Sequence, residues 1–181
     1  MEEIKRELFL IGTINPETSK EIIEAIVNIN IYDNFQTEYI VDYERAPILL
    51  YVSTHGGYVD DTLALYDIIR LSETPVYVIV MGYAQSGGLF IALAGDKSYI
   101  SPNGHIMYHQ MWYGQEGTLE NHNEYADRMG TSQARLHKII TESTKISKDK
   151  LLEKDDKKQD WYIDAKECVE LGIVDDILSY E

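Results

Sequence analysis

Residues 76–95 read VYVIVMGYAQSGGLFIALAG, and this stretch decides the fold class. Only Gln85 and Ser86 are plainly polar within it, so its length alone would allow it to cross a bilayer. Its halves differ, however, because the first is β-branched and strand-like whereas the second has the Gly, Ala and Leu content of a short helix. The polar QSGG segment between them predicts a buried strand that turns into a buried helix, and it disfavours a membrane span.

The same alternation of strand and helix continues toward the N-terminus. Residues 48–52 (ILLYV) predict a second strand, and residues 63–71 predict a helix between the two strands. Residues 8–11 predict an earlier strand, followed by Asn15 as the N-cap of a helix over residues 16–29. Strands separated by helices predict a parallel sheet that is covered on both faces and built from βαβ units.

Three other segments complete the organisation. Residues 30–47 have neither a clean strand period nor a helix period, and they predict a long excursion such as a hairpin. Residues 119–144 have helical spacing with few apolar anchors, which predicts a helix that projects from the domain or packs against another copy. Residues 164–171, followed by a glycine, predict a helix before a last strand at 173–178. No repeat or boundary is visible, so residues 1–181 are predicted to form one domain.

Composition restricts the class of protein. The 181 residues include 16 Lys plus Arg and 31 Asp plus Glu, for a net charge of −15. This acidic excess disfavours nucleic acid and anionic membranes as partners. The single cysteine, Cys168, cannot form an internal disulfide and is predicted to be a packing residue. The start MEEIKRELFL lacks the basic region of a signal peptide, so a cytoplasmic location is expected.

Two glycine turns each join a predicted strand to a predicted helix: HGG at 55–57 and QSGG at 85–88. The free N–H groups at the start of each helix face the turn, where they can stabilise an oxyanion. In the second turn Ser86 occupies the corner as in a nucleophile elbow, although Ala84 replaces the first glycine of GxSxG. A serine before two glycines is also an ordinary helix cap, so both interpretations stay open.

A serine nucleophile needs a base, and the chain has five histidines: His55, His105, His109, His122 and His137. His122 and His137 lie on the polar helix and are predicted to be solvated. His105 and His109 belong to HIMYH, a strand-like segment in which alternation places both on one face. The zinc motif HExxH is not met, because Ile106 stands where its glutamate belongs, and no metal is predicted. An acid that orients the base cannot be selected from spacing alone.

Three strings resemble, in order, spacing and residue type, the proteolytic subunit of the Clp protease (the ClpP family of self-compartmentalised serine peptidases). They are GYAQSGGLFIALAG at 82–95, PNGHIMYHQ at 102–110 and QDWYIDAKECVELGIVDDIL at 159–178. The similarity runs from about residue 8 to residue 178. It implies an α/β fold, the ClpP/crotonase-like spiral of ββα units with a projecting handle helix.

The resemblance also implies a serine endopeptidase with assigned residues. Ser86 falls on the nucleophile of the family pattern QAASMG, His109 on the base of IMIHQP and Asp160 on the acid of DRFLSA. The oxyanion hole falls on the backbone N–H groups of Gly57 and Gly87, and neither a cofactor nor a metal is implied.

The implied partners are further copies of the chain in two stacked heptameric rings, a Clp-type ATPase unfoldase, and peptides or unfolded proteins as substrates. The handle, residues 119–144, would interlock the rings. The sequence departs from the family at His55, Gly87 and Met111, where the family has proline, methionine and proline. Leu49 stands where one of two docking tyrosines is expected, and few residues precede the first strand. Weak coupling to an unfoldase is therefore expected.

Two other functions stay open. A crotonase-like acyl-CoA enzyme would share the fold and the backbone oxyanion hole, but it needs acidic residues where Ser86 and His109 stand. A noncatalytic ring component would only scaffold active subunits, and it has no need of Ser86, His109 and Asp160.

Overall fold

The computed structural model of the chain describes residues 4–112, 114 and 116–180, and a sheet of seven strands organises this part of the chain. The strands are β1 (Glu7–Ile14), β2 (Ile48–Gly57), β3 (Val76–Gln85), β4 (Lys97–Ile100), β5 (His105–Tyr108), β6 (Trp161–Asp164) and β7 (Asp176–Ile177). The helices are α1 (Pro16–Tyr39), α2 (Val59–Leu71), α3 (Gly87–Ala94), α4 (Leu119–Ser143), α5 (Lys148–Asp156) and α6 (Ala165–Glu170).

Strand β3 is the centre of the sheet and changes partner along its length. The sheet order is β1-β2-β3-β4-β7, and all of these strands are parallel. The first half of β3 pairs with β4, whereas its last three residues, 83–85, pair with β5. The change occurs at Gly82, whose φ of 85° suits glycine. Because β5 then pairs antiparallel with β6, the end of β3 lies beside the chain segments that follow β5 and precede β6.

The predicted parallel α/β architecture is confirmed, but the prediction that both faces of the sheet are covered is wrong within one protomer. Along β2, alternate residues from Ile48 to Thr54 are buried, and the residues between them are half-buried. On the other face, Phe9, Ile11 and Met81 are 55%, 59% and 44% exposed. The protomer has enough helices to cover only one face, and the apolar side chains of the second face remain in solvent.

Helix α1 begins as predicted and ends about ten residues later than predicted. The Asn15 side chain accepts hydrogen bonds from the N–H groups of Glu17 and Thr18, which forms the predicted N-cap. The helix then continues through the first half of the 30–47 excursion, so the hairpin prediction is wrong. The helical face is hard to recognise there because its buried positions are the polar residues Asp33 and Gln36.

Asp33 is buried through a polar cluster that anchors the end of α1. Arg6 donates to both of its carboxylate oxygens, at 3.0 and 2.5 Å, and the hydroxyls of Tyr43 and Thr74 donate at 2.7 and 2.6 Å. Burial raises the pKa of this carboxyl, but the hydrogen bonds outweigh that effect and lower the pKa to about 2. A charged aspartate therefore substitutes for an apolar residue on the buried face of the helix.

The C-terminal third of the chain agrees with the predicted order of elements and differs in detail. Helix α4 spans the predicted handle, and only Leu136, His137 and Ile140 are buried on it. The predicted solvation of His137 is therefore wrong, whereas His122 is exposed. The last strand is only two residues long, and β4 and α5 were not predicted.

Cys168 belongs to α6 and is packed in the hydrophobic core, as predicted. Burial raises the pKa of its thiol to about 12.

Within the described ranges, no helix is both long and apolar enough to span a membrane.

Candidate active site

Ser86 lies at a strained corner between β3 and α3. Its backbone angles, a φ of 52° and a ψ of −115°, lie outside the regions that residues other than glycine favour. This backbone strain costs on the order of 1–3 kcal/mol. Its N–H donates to the Met107 carbonyl at 2.8 Å, which fixes the corner against β5. Its side chain makes no capping bond to α3. The helix-cap interpretation is therefore wrong, and the hydroxyl is free to serve another purpose.

The hydroxyl of Ser86 faces His109. The distance from Ser86 Oγ to His109 Nε2 is 2.8 Å. The pairing follows from the sheet, because Gln85 lies opposite Met107 and His109 follows two residues later, just beyond the end of β5. For Nε2 to accept the serine proton, the neutral imidazole must carry its own proton on Nδ1. This is the arrangement that a nucleophile and its general base require.

Asp160 lies one residue beyond the ladder that joins β5 to β6. That ladder pairs Tyr108 with Trp161, and continuing its register by one residue sets His109 opposite Asp160. The Asp160 side chain is exposed, and among the described residues no hydrogen bond joins it to His109. The protomer thus has the serine–histidine contact, with the third residue adjacent in register and unbonded to the imidazole.

The backbones of the two glycine turns lie close together. The Tyr58 N–H donates to the Ile14 carbonyl of β1, so the N–H of Gly57 points to the opposite side of its strand. Gly87 is the first residue of α3, where N–H groups have no partner within the helix. A Cβ on Gly56 would lie only 2.6 Å from the nitrogen of Gly87, so the two turns are in direct contact. Two candidate oxyanion donors therefore lie beside the serine.

A small cavity of about 30 Å³ connects these groups. Ser86, His109, Gly57 and Gly87 all line it, together with apolar side chains that include Phe90. The volume is close to that of one water molecule. A second pocket of about 730 Å³ lies between α4 and α5, and it shares Met111 and Gln133 with the small cavity.

Two other histidines lie close to the corner without touching Ser86. His55 Nδ1 lies 3.1 Å from Gln85 Oε1, and His105 Nε2 lies 2.9 Å from Gln85 Nε2. They hold the residue that precedes the serine. In the described part of the chain, no three His, Cys, Asp or Glu side chains are grouped so that they could hold a metal ion.

Sequence reasoning missed a buried polar cluster next to His109, formed by Tyr108, Gln133, His137 and Asp155. One signal was available, since Gln133 and His137 are separated by one helical turn and flank the apolar position Leu136. Asp155 could not be identified because it comes from a helix that the sequence did not predict.

Comparison with known proteins gives consistent results. The profile of the family described as Clp protease matches residues 3–181. The chain is 29% identical over 174 residues to ATP-dependent Clp protease proteolytic subunit 2 of Treponema denticola, covering 95% of this chain and 81% of that protein. The corresponding subunit 2 of Treponema pallidum is also 29% identical, over 177 residues, covering 96% and 82%.

A solved structure has the same fold. A point mutant of ClpP1 from Listeria monocytogenes superposes with a TM-score of 0.81 at 22% sequence identity, over 97% of this chain and 92% of that one. The predicted α/β spiral of the ClpP type is thereby confirmed.

Proposed function

Because this chain belongs to the Clp protease family, we propose that it is a serine endopeptidase that hydrolyses peptides or unfolded proteins. The observation that carries the proposal is the contact of 2.8 Å between Ser86 Oγ and His109 Nε2. The positive φ of Ser86 and its missing capping bond support it, because a strained corner is retained where it serves a reaction.

The proposed reaction begins when Ser86 Oγ attacks the carbonyl carbon of the scissile bond and His109 Nε2 takes the hydroxyl proton. The negative charge that develops on the carbonyl oxygen is stabilised by the N–H groups of Gly57 and Gly87. Collapse of this intermediate breaks the C–N bond, and His109 returns the proton to the leaving amine. Water then attacks the acyl-enzyme with His109 again as base, which releases the acid and restores Ser86.

We assign the role of acid to Asp160. The β5–β6 register supports this assignment, because its last pair is Tyr108 with Trp161 and the next residues along the two strands are His109 and Asp160. A hydrogen bond between the Asp160 carboxylate and Nδ1 of His109 would hold the tautomer with its proton on Nδ1 and stabilise the imidazolium.

We also propose that the protein works as a homo-oligomer that encloses its active sites, in the manner of stacked rings. The exposed apolar face of the sheet supports this. Phe9 and Tyr51 stack there with ring centroids 5.3 Å apart, beside the exposed Ile11 and Met81. A contiguous apolar face of this kind marks an interaction surface, and a second copy would cover it.

The test is labelling with a fluorescent fluorophosphonate, followed by peptide mapping. We expect the label on Ser86 and none on the Ser86→Ala variant, together with hydrolysis of a short fluorogenic peptide by the wild type alone. Light scattering should show the same assembly for both proteins. Peptidase activity that persists in purified Ser86→Ala would refute the proposed nucleophile.

The alternative is a noncatalytic ring component. The exposure of Asp160 and its lack of a bond to His109 are the observations in its favour. An assembled wild-type protein that neither takes up the label nor hydrolyses peptide would establish this alternative.

A further inference from the structure

A cluster of four polar side chains lies next to His109, and two of them, Tyr108 and Gln133, line the same small cavity as Ser86 and His109. The Tyr108 hydroxyl donates to Asp155 Oδ1 at 2.7 Å, and His137 Nε2 lies 2.9 Å from Asp155 Oδ2. Gln133 Nε2 lies 3.2 Å from the Tyr108 hydroxyl. The aspartate and the histidine are only 7% and 6% exposed, so an ionisable pair is buried here.

The amide of Gln133 is oriented by a backbone group. The Met111 N–H donates to Gln133 Oε1 at 2.9 Å, which turns the amide nitrogen of Gln133 toward the cluster. That nitrogen donates to the Tyr108 oxygen, and the Tyr108 hydroxyl donates in turn to Asp155. His137 Nε2 lies 2.8 Å from Gln133 Nε2, 2.8 Å from the Tyr108 hydroxyl and 2.9 Å from Asp155 Oδ2. Hydrogen bonds thus run in one direction, from the backbone of Met111 to a buried carboxylate.

Two residues of this chain of bonds flank His109. Tyr108 is the residue before His109, and Met111 is two residues after it. Gln133 belongs to α4 and Asp155 to α5, so two helices hold the short segment that leaves β5. His109 therefore lies between two residues, Tyr108 and Met111, that are each held by a hydrogen bond.

We propose that Tyr108, Gln133, His137 and Asp155 form a positioning cluster that holds His109 in reach of Ser86. This inference rests on the proposed peptidase function and deepens it. None of the four residues transfers a proton with the substrate. They act through His109, because a displacement of the imidazole by about 1 Å is enough to cost about a hundredfold in rate. Because two members of the cluster belong to α4, the handle helix, the position of His109 also depends on how α4 packs against the rest of the chain.

The key variant is Tyr108→Phe, which removes one hydroxyl and keeps the ring. The chain has a matched control in Tyr43→Phe, because the Tyr43 hydroxyl also donates to a buried aspartate, Asp33, at 2.7 Å. Each variant loses a hydrogen bond to a buried aspartate, but only Tyr108 lies beside the active site.

We expect kcat for a short fluorogenic peptide to fall at least tenfold in Tyr108→Phe while KM stays within about twofold. The rate constant for fluorophosphonate labelling of Ser86 should fall by a similar factor, since it depends on the same serine–histidine contact. Tyr43→Phe should keep wild-type kcat and labelling rate even where its melting temperature falls as much as that of Tyr108→Phe. Asp155→Asn is the second variant, and it should show the same loss of kcat at unchanged KM.

A Tyr108→Phe protein with the kcat and labelling rate of Tyr43→Phe would overturn the inference and leave the peptidase function standing. An equal loss in kcat in both variants would also overturn it, because it would report a general loss of stability. A wild-type protein that is neither active nor labelled would instead overturn the proposed function. If Tyr108→Phe does not fold, Asp155→Asn replaces it, and its kcat and labelling rate are compared with those of Tyr43→Phe in the same way.

Discussion

The buried carboxylate of Asp33 should make the stability of the fold depend on acid in a defined way. Hydrogen bonds from Arg6, Thr74 and Tyr43 overcome the effect of burial and lower the pKa from 3.8 to about 2. This difference corresponds to a contribution of about 2 kcal/mol to the free energy of unfolding at neutral pH. Because the folded state holds the lower pKa, the contribution is complete above about pH 4 and is lost as the pH falls through about 2.

The assay is urea unfolding of the wild type and Asp33→Asn at one protein concentration, at pH 7, 4 and 2.5. The wild type and Asp33→Asn differ in unfolding free energy, and this difference should lose most of the contribution of about 2 kcal/mol between pH 7 and pH 2.5. Asp60→Asn is the control, because Asp60 forms an ion pair with Arg128 at a similar distance, 2.9 Å, while 79% exposed. Exposed pairs contribute little, so the difference for Asp60→Asn should stay small. A difference for Asp33→Asn that is the same at all three pH values would refute the reasoning.

Two further predictions concern activity. Asp160→Asn should lower kcat by a factor approaching about 10⁴, the loss found when the triad aspartate of a trypsin-like protease is changed to asparagine. Asp164→Asn should keep its activity, because Asp164 caps α6 through the Glu167 N–H at 2.9 Å and asparagine caps equally well; a larger loss in Asp164→Asn would show that the acid is misassigned. The wild type should hydrolyse short peptides unaided but degrade a tagged folded protein poorly with a Clp-type ATPase and ATP, since Leu49 lacks the aromatic contact expected of a docking tyrosine, worth about 1 kcal/mol per subunit. Leu49→Tyr should raise that degradation, and robust ATP-dependent degradation by the wild type would contradict the prediction.

Much of the candidate site could be predicted because its determinants are local in sequence. The QSGG turn needs glycines because a Cβ on Gly87 would lie 2.5 Å from Thr62 Oγ1 and one on Gly88 would lie 2.7 Å from Thr54 Cγ2. The Ser86 corner follows from a strand that runs directly into a helix. The start of α1 was equally predictable, because Asn15 makes its capping bonds within three residues.

Two of the errors share one physical cause, which is pairing between residues distant in sequence. Helix α1 continues past residue 29 because Arg6 compensates the buried Asp33, and a charge in a helix gives no apolar period to detect. His137 appeared solvated on a polar helix until Asp155, 18 residues further on, provided a buried partner. In both cases a polar residue is buried because another part of the chain satisfies it.

The alternation of strands and helices, the serine at a glycine corner and the Clp protease family could all be predicted before the structure was known, because periodicity, turn chemistry and motif order are carried by neighbouring residues. The residues alone left five histidines as candidate bases, and the family resemblance pointed to His109; the structure supplies the reason, because the pairing of β3 with β5 and the bond from the Ser86 N–H to Met107 bring His109 to Ser86. The structure also shows that Asp160 lies one residue beyond the β5–β6 ladder, and that apolar side chains on one face of the sheet are exposed. Such contacts depend on register and on the burial of polar pairs, and these are settled when distant segments pack together.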